Sequence, residues 1–207
     1  MDVISVGAAD AVERASMVLR RGGVVVFPTD TCYGLGVDAT SDAAVERLYE
    51  LKGRKRGKPV HVAVSGLAMA ERYVMLDERA RKLARAFLPG PLTLVLKERG
   101  VLARALLSGG ETLGIRIPDS DFVQTLTERV GVPVTATSAN KSGDPAPYSI
   151  GEVHASFSED FERIDLVVDA GALPHTAPST LVDLTDNQVV ILREGPISRA
   201  DIESVLS

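Results

Sequence analysis

Apolar residues recur at helical spacing over residues 10–21, where Val12, Ala15, Val18 and Leu19 fall on or near one face. Gly22-Gly23 ends that pattern. Val24-Val25-Val26-Phe27 then forms a continuous β-branched and aromatic run, which reads as a buried strand closed by Pro28. A second helix is predicted over 42–52, capped by Ser41 or Asp42 and packing through Val45, Leu48 and Leu51. Residues 59–64 alternate as a strand. Further helices are predicted near 66–73 and 77–87 and at 101–107, 120–130 and 199–206, with Pro89-Gly90-Pro91 as a firm break. Strands are predicted at 93–97, 113–117, 132–136, 166–169, 180–184 and 189–193. With no internal repeat and no long linker, this alternation predicts an α/β fold. It is expected to be a single domain over 1–207, with a large twisted mixed β-sheet flanked by helices.

Composition narrows the class. Apolar residues make up 45% and charged residues 25% of the 207, the balance of a globular chain and not of a disordered or fibrous one. No apolar run approaches the roughly 18 residues of a membrane span, and the N-terminal stretch has no basic head or apolar core of a signal peptide. One cysteine, Cys32, excludes an intrachain disulfide and a multi-cysteine metal cage. A cytoplasmic protein without membrane attachment is expected.

Charge is unevenly distributed. The net charge is −5, yet five of the seven residues over 52–58 are basic: Lys52, Arg54, Lys55, Arg56 and Lys58. No Asp or Glu occurs from Leu51 to Ala70. Unneutralised positive charge confined to one stretch of an acidic chain points to a site for an anion, with a solvated loop or a polybasic nucleic-acid patch as the other readings. Gly53 to Pro59 is no phosphate-binding P-loop, because three residues separate its glycines and proline follows the lysine. Gly34-Leu35-Gly36-Val37-Asp38-Ala39 matches a dinucleotide fingerprint in letters but follows its strand too late, so a glycine-rich structural turn is expected there. Cys32 reads as a small packing residue, since no spacing pairs it with His61, His154 or His175.

Four polar segments follow predicted strand ends, where open α/β sheets place ligands. They are Pro28 to Gly36, the basic loop, Thr135 to Asp144, and Ala177 to Thr180 with Arg193 nearby. Glycines let main-chain N–H groups approach an anion, lysine adds a point charge, and arginine adds a fork matched to phosphate or carboxylate. Arg116, a lone cation in the apolar strand 113–117, requires an anionic partner, either an internal carboxylate or a ligand.

Taken in order, these segments resemble the YrdC-like threonylcarbamoyl-AMP synthases. PTDTCYGLG (28–36), Lys52-Gly53-Arg54 with Lys58-Pro59, GPLTLVL (90–96), GIRIP (114–118), Ser138-Ala139-Asn140, STLVD (179–183) and ILREGPIS (191–198) follow the family's order over roughly residues 8–207. The length resembles the short, single-domain form. The resemblance implies a YrdC-like fold and a nucleotidyltransferase. In that reaction L-threonine and bicarbonate form a carbamate whose oxygen attacks the α-phosphorus of ATP, with Mg2+ accompanying the nucleotide. Threonylcarbamoyl-AMP then serves tRNA modification, with tRNA threonylcarbamoyl-transferase proteins downstream and tRNA or other RNA as a contact.

By the same resemblance Lys52 and Arg54 are catalytic. The ATP side comprises Lys52, Arg54, Lys58, Thr112, Ser138, Asn140 and Arg193, while Thr31, Arg116 and Ser179 hold threonine and its carbamate. Three positions depart from the family pattern: Lys58 stands where many members have Asn, Ala63 where some have His, and Ala146 where others have Ser. The competing readings are an RNA-binding YrdC-like module without synthase activity and carbamoyl transfer of the kind found in larger hydrogenase-maturation proteins. A net charge of −5 and 4% aromatics speak against the RNA module.

Overall fold

The run after Gly23 is apolar on both faces because both faces are covered. In strand Val25–Pro28, Val26 faces the main core, while Val25 and Phe27 face a second cluster. The computed structural model describes residues 1–207 except Arg56 and Ser108, so the expectation placed on Arg56 in the basic loop lies outside the described residues.

In chain order the elements are β1 (Asp2–Ser5), α1 (Ala11–Arg20), β2 (Val25–Pro28), β3 (Tyr33–Gly36), α2 (Asp42–Lys52), β4 (Val62–Ala63) and α3 (Leu67–Ala70). Then come α4 (Glu78–Phe87), β5 (Leu92–Lys97), α5 (Arg104–Leu107), β6 (Thr112–Arg116), α6 (Asp121–Val130), β7 (Val134–Thr135) and β8 (Thr137–Ser138). The last are α7 (Ile150–Phe157), a 3-10 helix (Ser158–Arg163), β9 (Leu166–Asp169), β10 (Thr180–Asp183), β11 (Val190–Arg193) and α8 (Arg199–Leu206).

The mixed α/β class holds, but the strands form two sheets instead of one. The first has the order β1-β9-β2-β3-β8 and the second β11-β10-β5-β6-β4-β7. Each mixes parallel and antiparallel pairs. The reason is visible at 132–136, expected as one strand. β7 pairs with β4 in the second sheet, the chain turns at Ala136, and β8 pairs with β3 in the first. Ala136 N donates to His61 O at 2.8 Å, fixing the crossing point.

Local chemistry accounts for the helices. Ser41 caps α2 by accepting from Ala44 N, and Gly53 closes it in a left-handed conformation. Ser120 and Ser149 cap α6 and α7 in the same way, and Ser198 forms a capping box with Asp201 on α8. The stretch 33–36 is a strand, not the expected turn. A Cβ on Gly36 would fall 2.4 Å from the Phe27 ring, and one on Gly34 3.1 Å from it. The two glycines let that ring lie across β3. Among the described residues no helix is long and apolar enough to cross a membrane.

Candidate active site

A cavity of about 290 Å³ opens where the chain passes from one sheet to the other. Its walls come from the β2–β3 turn, the segment after α2, the start of β5, the end of β6, the β7–β8 crossing, the approach to β10 and the end of β11. Sequence-distant segments meet here because β5 and β10 begin at the end where β6 finishes, as their parallel and antiparallel pairings require.

The β2–β3 turn is built by Thr29. Its hydroxyl donates to Cys32 O (2.7 Å) and accepts from the N–H of Thr31 and Cys32 (3.1 and 3.2 Å). This serine/threonine turn presents Thr31 to Arg116. Arg116 is 8% exposed and donates from Nε to Gly90 O (3.1 Å), from Nη1 to Thr31 Oγ1 (2.9 Å) and from Nη2 to Asp30 Oδ2 (2.6 Å). The anionic partner that this cation requires is therefore internal. A guanidinium has five N–H donors, so two remain beyond the three engaged here. Asp30 Oδ1 is buried without a hydrogen-bond partner.

Arg193 donates from Nε and Nη2 to Ser179 O (3.0 and 2.9 Å) and from Nη2 to Ser179 Oγ (3.3 Å). Ser179 Oγ lies 2.8 Å from Thr93 Oγ1. Arg54 braces the basic loop, with Nε on Lys58 O (3.1 Å) and Nη2 on Pro59 O (2.9 Å). Burial lowers the proton affinity of Arg116 and Arg193, but a guanidinium stays charged under all ordinary conditions.

Six of the ten sequence-derived site residues line the cavity: Thr31, Arg54, Arg116, Ser138, Ser179 and Arg193. Lys52 and Asn140 stand behind its wall. Lys52, 2% exposed, donates from Nζ to the main-chain oxygens of Ser138 and Asn140, each at 2.6 Å. Its own main-chain oxygen accepts from Ser142 N. Burial, then the Arg54 charge, lowers the pKa of Lys52 to about 7. Asn140 donates to Lys141 O and Asp144 O, and its Oδ1 has no partner. The Lys58 side chain is exposed and does not line the cavity. Thr112 opens β6, four residues and roughly 13 Å before Arg116, outside the lining. Ala146, one of the departures, does line it, whereas Ala63 packs in the second core cluster.

Several lining residues were not expected. Tyr148 and Thr176 belong to segments that sequence reading leaves as loop. Tyr148 Oη donates to Thr176 O (3.0 Å), and Thr176 Oγ1 donates to Thr31 O (2.9 Å), tying the 170–178 stretch to the threonine turn. His61 sits in the run 59–64 with its ring over Gly114. Burial, then the charges of Arg193, Arg54 and Arg116, lowers its pKa to about 4, so the ring is uncharged. Burial raises the Cys32 thiol above its ordinary value, which keeps it protonated and suits a packing role. Chemically, the cavity offers three fixed guanidiniums, that of Arg116 already paired with Asp30, with several hydroxyls and one neutral imidazole: a site for an anionic ligand.

Comparison with known proteins shows the family to which the chain belongs. The Sua5/YciO/YrdC family model, described as telomere recombination, matches residues 17–195. The chain is 36% identical over 193 residues to a Pyrococcus abyssi threonylcarbamoyl-AMP synthase, covering 93% of this chain and 56% of that one. It is 34% identical over 176 residues to a putative threonylcarbamoyl-AMP synthase of Methanocaldococcus jannaschii, covering 85% and 81%. The solved structure of P. abyssi Sua5 complexed with L-threonine superposes with a TM-score of 0.91 at 34% identity, over 99% of this chain and 60% of that one. The chain thus spans little more than half the length of the P. abyssi relative. A fold shared throughout, with a family match across most of its length, makes this chain a member of the Sua5/YciO/YrdC family.

Proposed function

We propose that this chain is an L-threonylcarbamoyladenylate synthase, a nucleotidyltransferase using ATP, L-threonine and bicarbonate. The observation that carries the reading is the convergence of Arg116 with Thr31, and of Arg193 with Ser179, on one cavity that Arg54 also lines. Relatives named for this activity, one of them solved with L-threonine, support it.

The amine of threonine attacks the carbon of bicarbonate, forming an N–C bond with loss of water. A carbamate oxygen then attacks the α-phosphorus, and the bond from that phosphorus to the β-phosphate oxygen breaks to release pyrophosphate. Such chemistry depends on holding charged groups in line and neutralising the charge that develops. In this reading Arg116 and Thr31 hold the amino acid, Ser179 lies beside its carbamate, and Arg54, Arg193 and Ser138 face the phosphates. Lys52 acts on Ser138 and Asn140 through their main chain. Mg2+ would come with ATP and would supply charge neutralisation at the phosphates. Among the described residues no group of three His, Cys, Asp or Glu could hold a metal ion. The product passes to proteins that transfer threonylcarbamoyl to tRNA.

A pyrophosphate-release assay, leaving out threonine, bicarbonate and ATP in turn, tests the reading. Release is expected only with all three. Equal release without threonine overturns it, and salt-sensitive RNA binding without release favours the RNA module instead.

A further inference from the structure

His61 has no part in the reaction as assigned above, yet it is held in place from three sides. Its main-chain oxygen accepts from Ala136 N at 2.8 Å, and the next residue, Val62, is laddered to both β6 and β7. Its ring lies where a side chain on Gly114 would be, with a Gly114 Cβ falling 2.4 Å from Cδ2. Gly114 and Arg116 alternate onto the same face of β6, so the imidazole stands one strand repeat from the Arg116 position. The ring lines the cavity together with Arg54, Arg116 and Arg193. Among the described residues neither ring nitrogen has a hydrogen-bond partner, and neither is among the fully buried unpartnered atoms.

Three guanidiniums provide many donors but no acceptor. An amino acid carrying a carbamate presents oxygens that need donors and one N–H that needs an acceptor. An uncharged imidazole supplies that acceptor, and its second nitrogen keeps a donor. His61 shares the lining with Arg116 and Thr31 on the amino-acid side and with Arg54 and Arg193 on the nucleotide side of the proposed assignment.

We propose that His61 is a binding residue for the N-carboxylated amino acid, a ring nitrogen accepting the carbamate N–H while the arginines take its oxygens. This assignment rests on the synthase reading. Its test uses His61→Phe, which keeps a ring over Gly114 without nitrogens, and His61→Gln, which keeps an uncharged acceptor. Pyrophosphate release is measured against bicarbonate and threonine, and ATP binding is measured by calorimetry with ATP alone. For His61→Phe, kcat/KM for bicarbonate is expected to fall by about tenfold or more while ATP affinity stays within about twofold, with His61→Gln recovering part of the loss.

Wild-type turnover in His61→Phe would reduce His61 to packing, and an equal loss of ATP affinity would move it to the nucleotide wall; either result overturns the assignment. If the ring swap unfolds the chain, His61→Leu carries the same comparison. A wild-type chain that releases no pyrophosphate from the three substrates overturns the synthase reading and this assignment with it.

Discussion

His61 and Gly114 share one space: the imidazole occupies the position that any β-carbon on Gly114 would claim, 2.4 Å from Cδ2 and 2.9 Å from Cγ. Gly114→Ala therefore has to displace the ring. Overpacking of this kind costs about 1–3 kcal/mol. Both the melting temperature and threonine-dependent pyrophosphate release are expected to fall. In the double variant with His61→Ala the melting temperature should recover, because the clash has lost one partner. Additive losses in the double variant would mean that the two residues do not compete.

Asp30 supports Arg116 from below the cavity, with side-chain exposures of 16% and 10% and a 2.6 Å contact. Removing one member of a buried pair leaves the other uncompensated, at a cost of about 3–5 kcal/mol. Asp30→Ala should thus lower the melting temperature by several degrees and raise the KM for L-threonine, since the fork loses one of its three tethers. Asp30→Asn keeps an acceptor and is expected to be milder. An unchanged melting temperature for Asp30→Ala would show that the pair contributes nothing.

Lys52 makes stability depend on pH in a defined direction. Its pKa is lowered from 10.5 to about 7, so between those values the unfolded chain holds a proton that the folded chain lacks. Folding stability from this group therefore rises with pH from about 7 to about 10.5 and levels off above. Denaturant unfolding of the wild type and Lys52→Met should show the wild type gaining on the variant over that window. Below that window Lys52→Met is already expected to be weaker by about 1–3 kcal/mol, because the main-chain oxygens of Ser138 and Asn140 lose their donor. A pH-independent difference would show that Lys52 stays charged where it is.

Arg54 separates a working loop from a solvated one. If its fork meets phosphate oxygens as charge develops, Arg54→Ala costs on the order of a hundredfold in kcat/KM. Arg54→Lys should rescue only partly, since the charge remains and the fork is lost. The neighbouring Lys55 is exposed, and Lys55→Ala should change little. Melting temperatures of both variants should stay near the wild type, as surface charges contribute little. Equal, small kinetic effects at both positions would make the loop a solvated face.

What the chain determines locally was legible in its letters. Ser41 and Gly53 bracket α2 because a hydroxyl satisfies the first free N–H groups and glycine alone takes the left-handed turn cheaply. The apolar run at 24–27 and the acid-free basic loop needed no tertiary knowledge either. Strands β1 and β3 were not legible. Asp2–Ser5 is polar at its ends and ordered by pairing with β9, and Gly34 and Gly36 make a strand only because the Phe27 ring lies across them. The division into two sheets depends on the chain turning at Ala136, and two-residue strands carry too little periodicity to reveal that.

The site divides along the same line. Residue types with strong intrinsic demands, such as Arg116 in an apolar strand or the hydroxyls of Thr31, Ser138 and Ser179, could be singled out from sequence alone. Which partner satisfies each demand could not. Arg116 finds Asp30 on a turn 86 positions away, Lys52 turns from the cavity to the carbonyls of Ser138 and Asn140, and Tyr148 and Thr176 enter through loops without any pattern. A sequence states what each group requires of its surroundings. Only the packed chain, by closing distances of scores of residues to under 3 Å, decides which neighbour provides it.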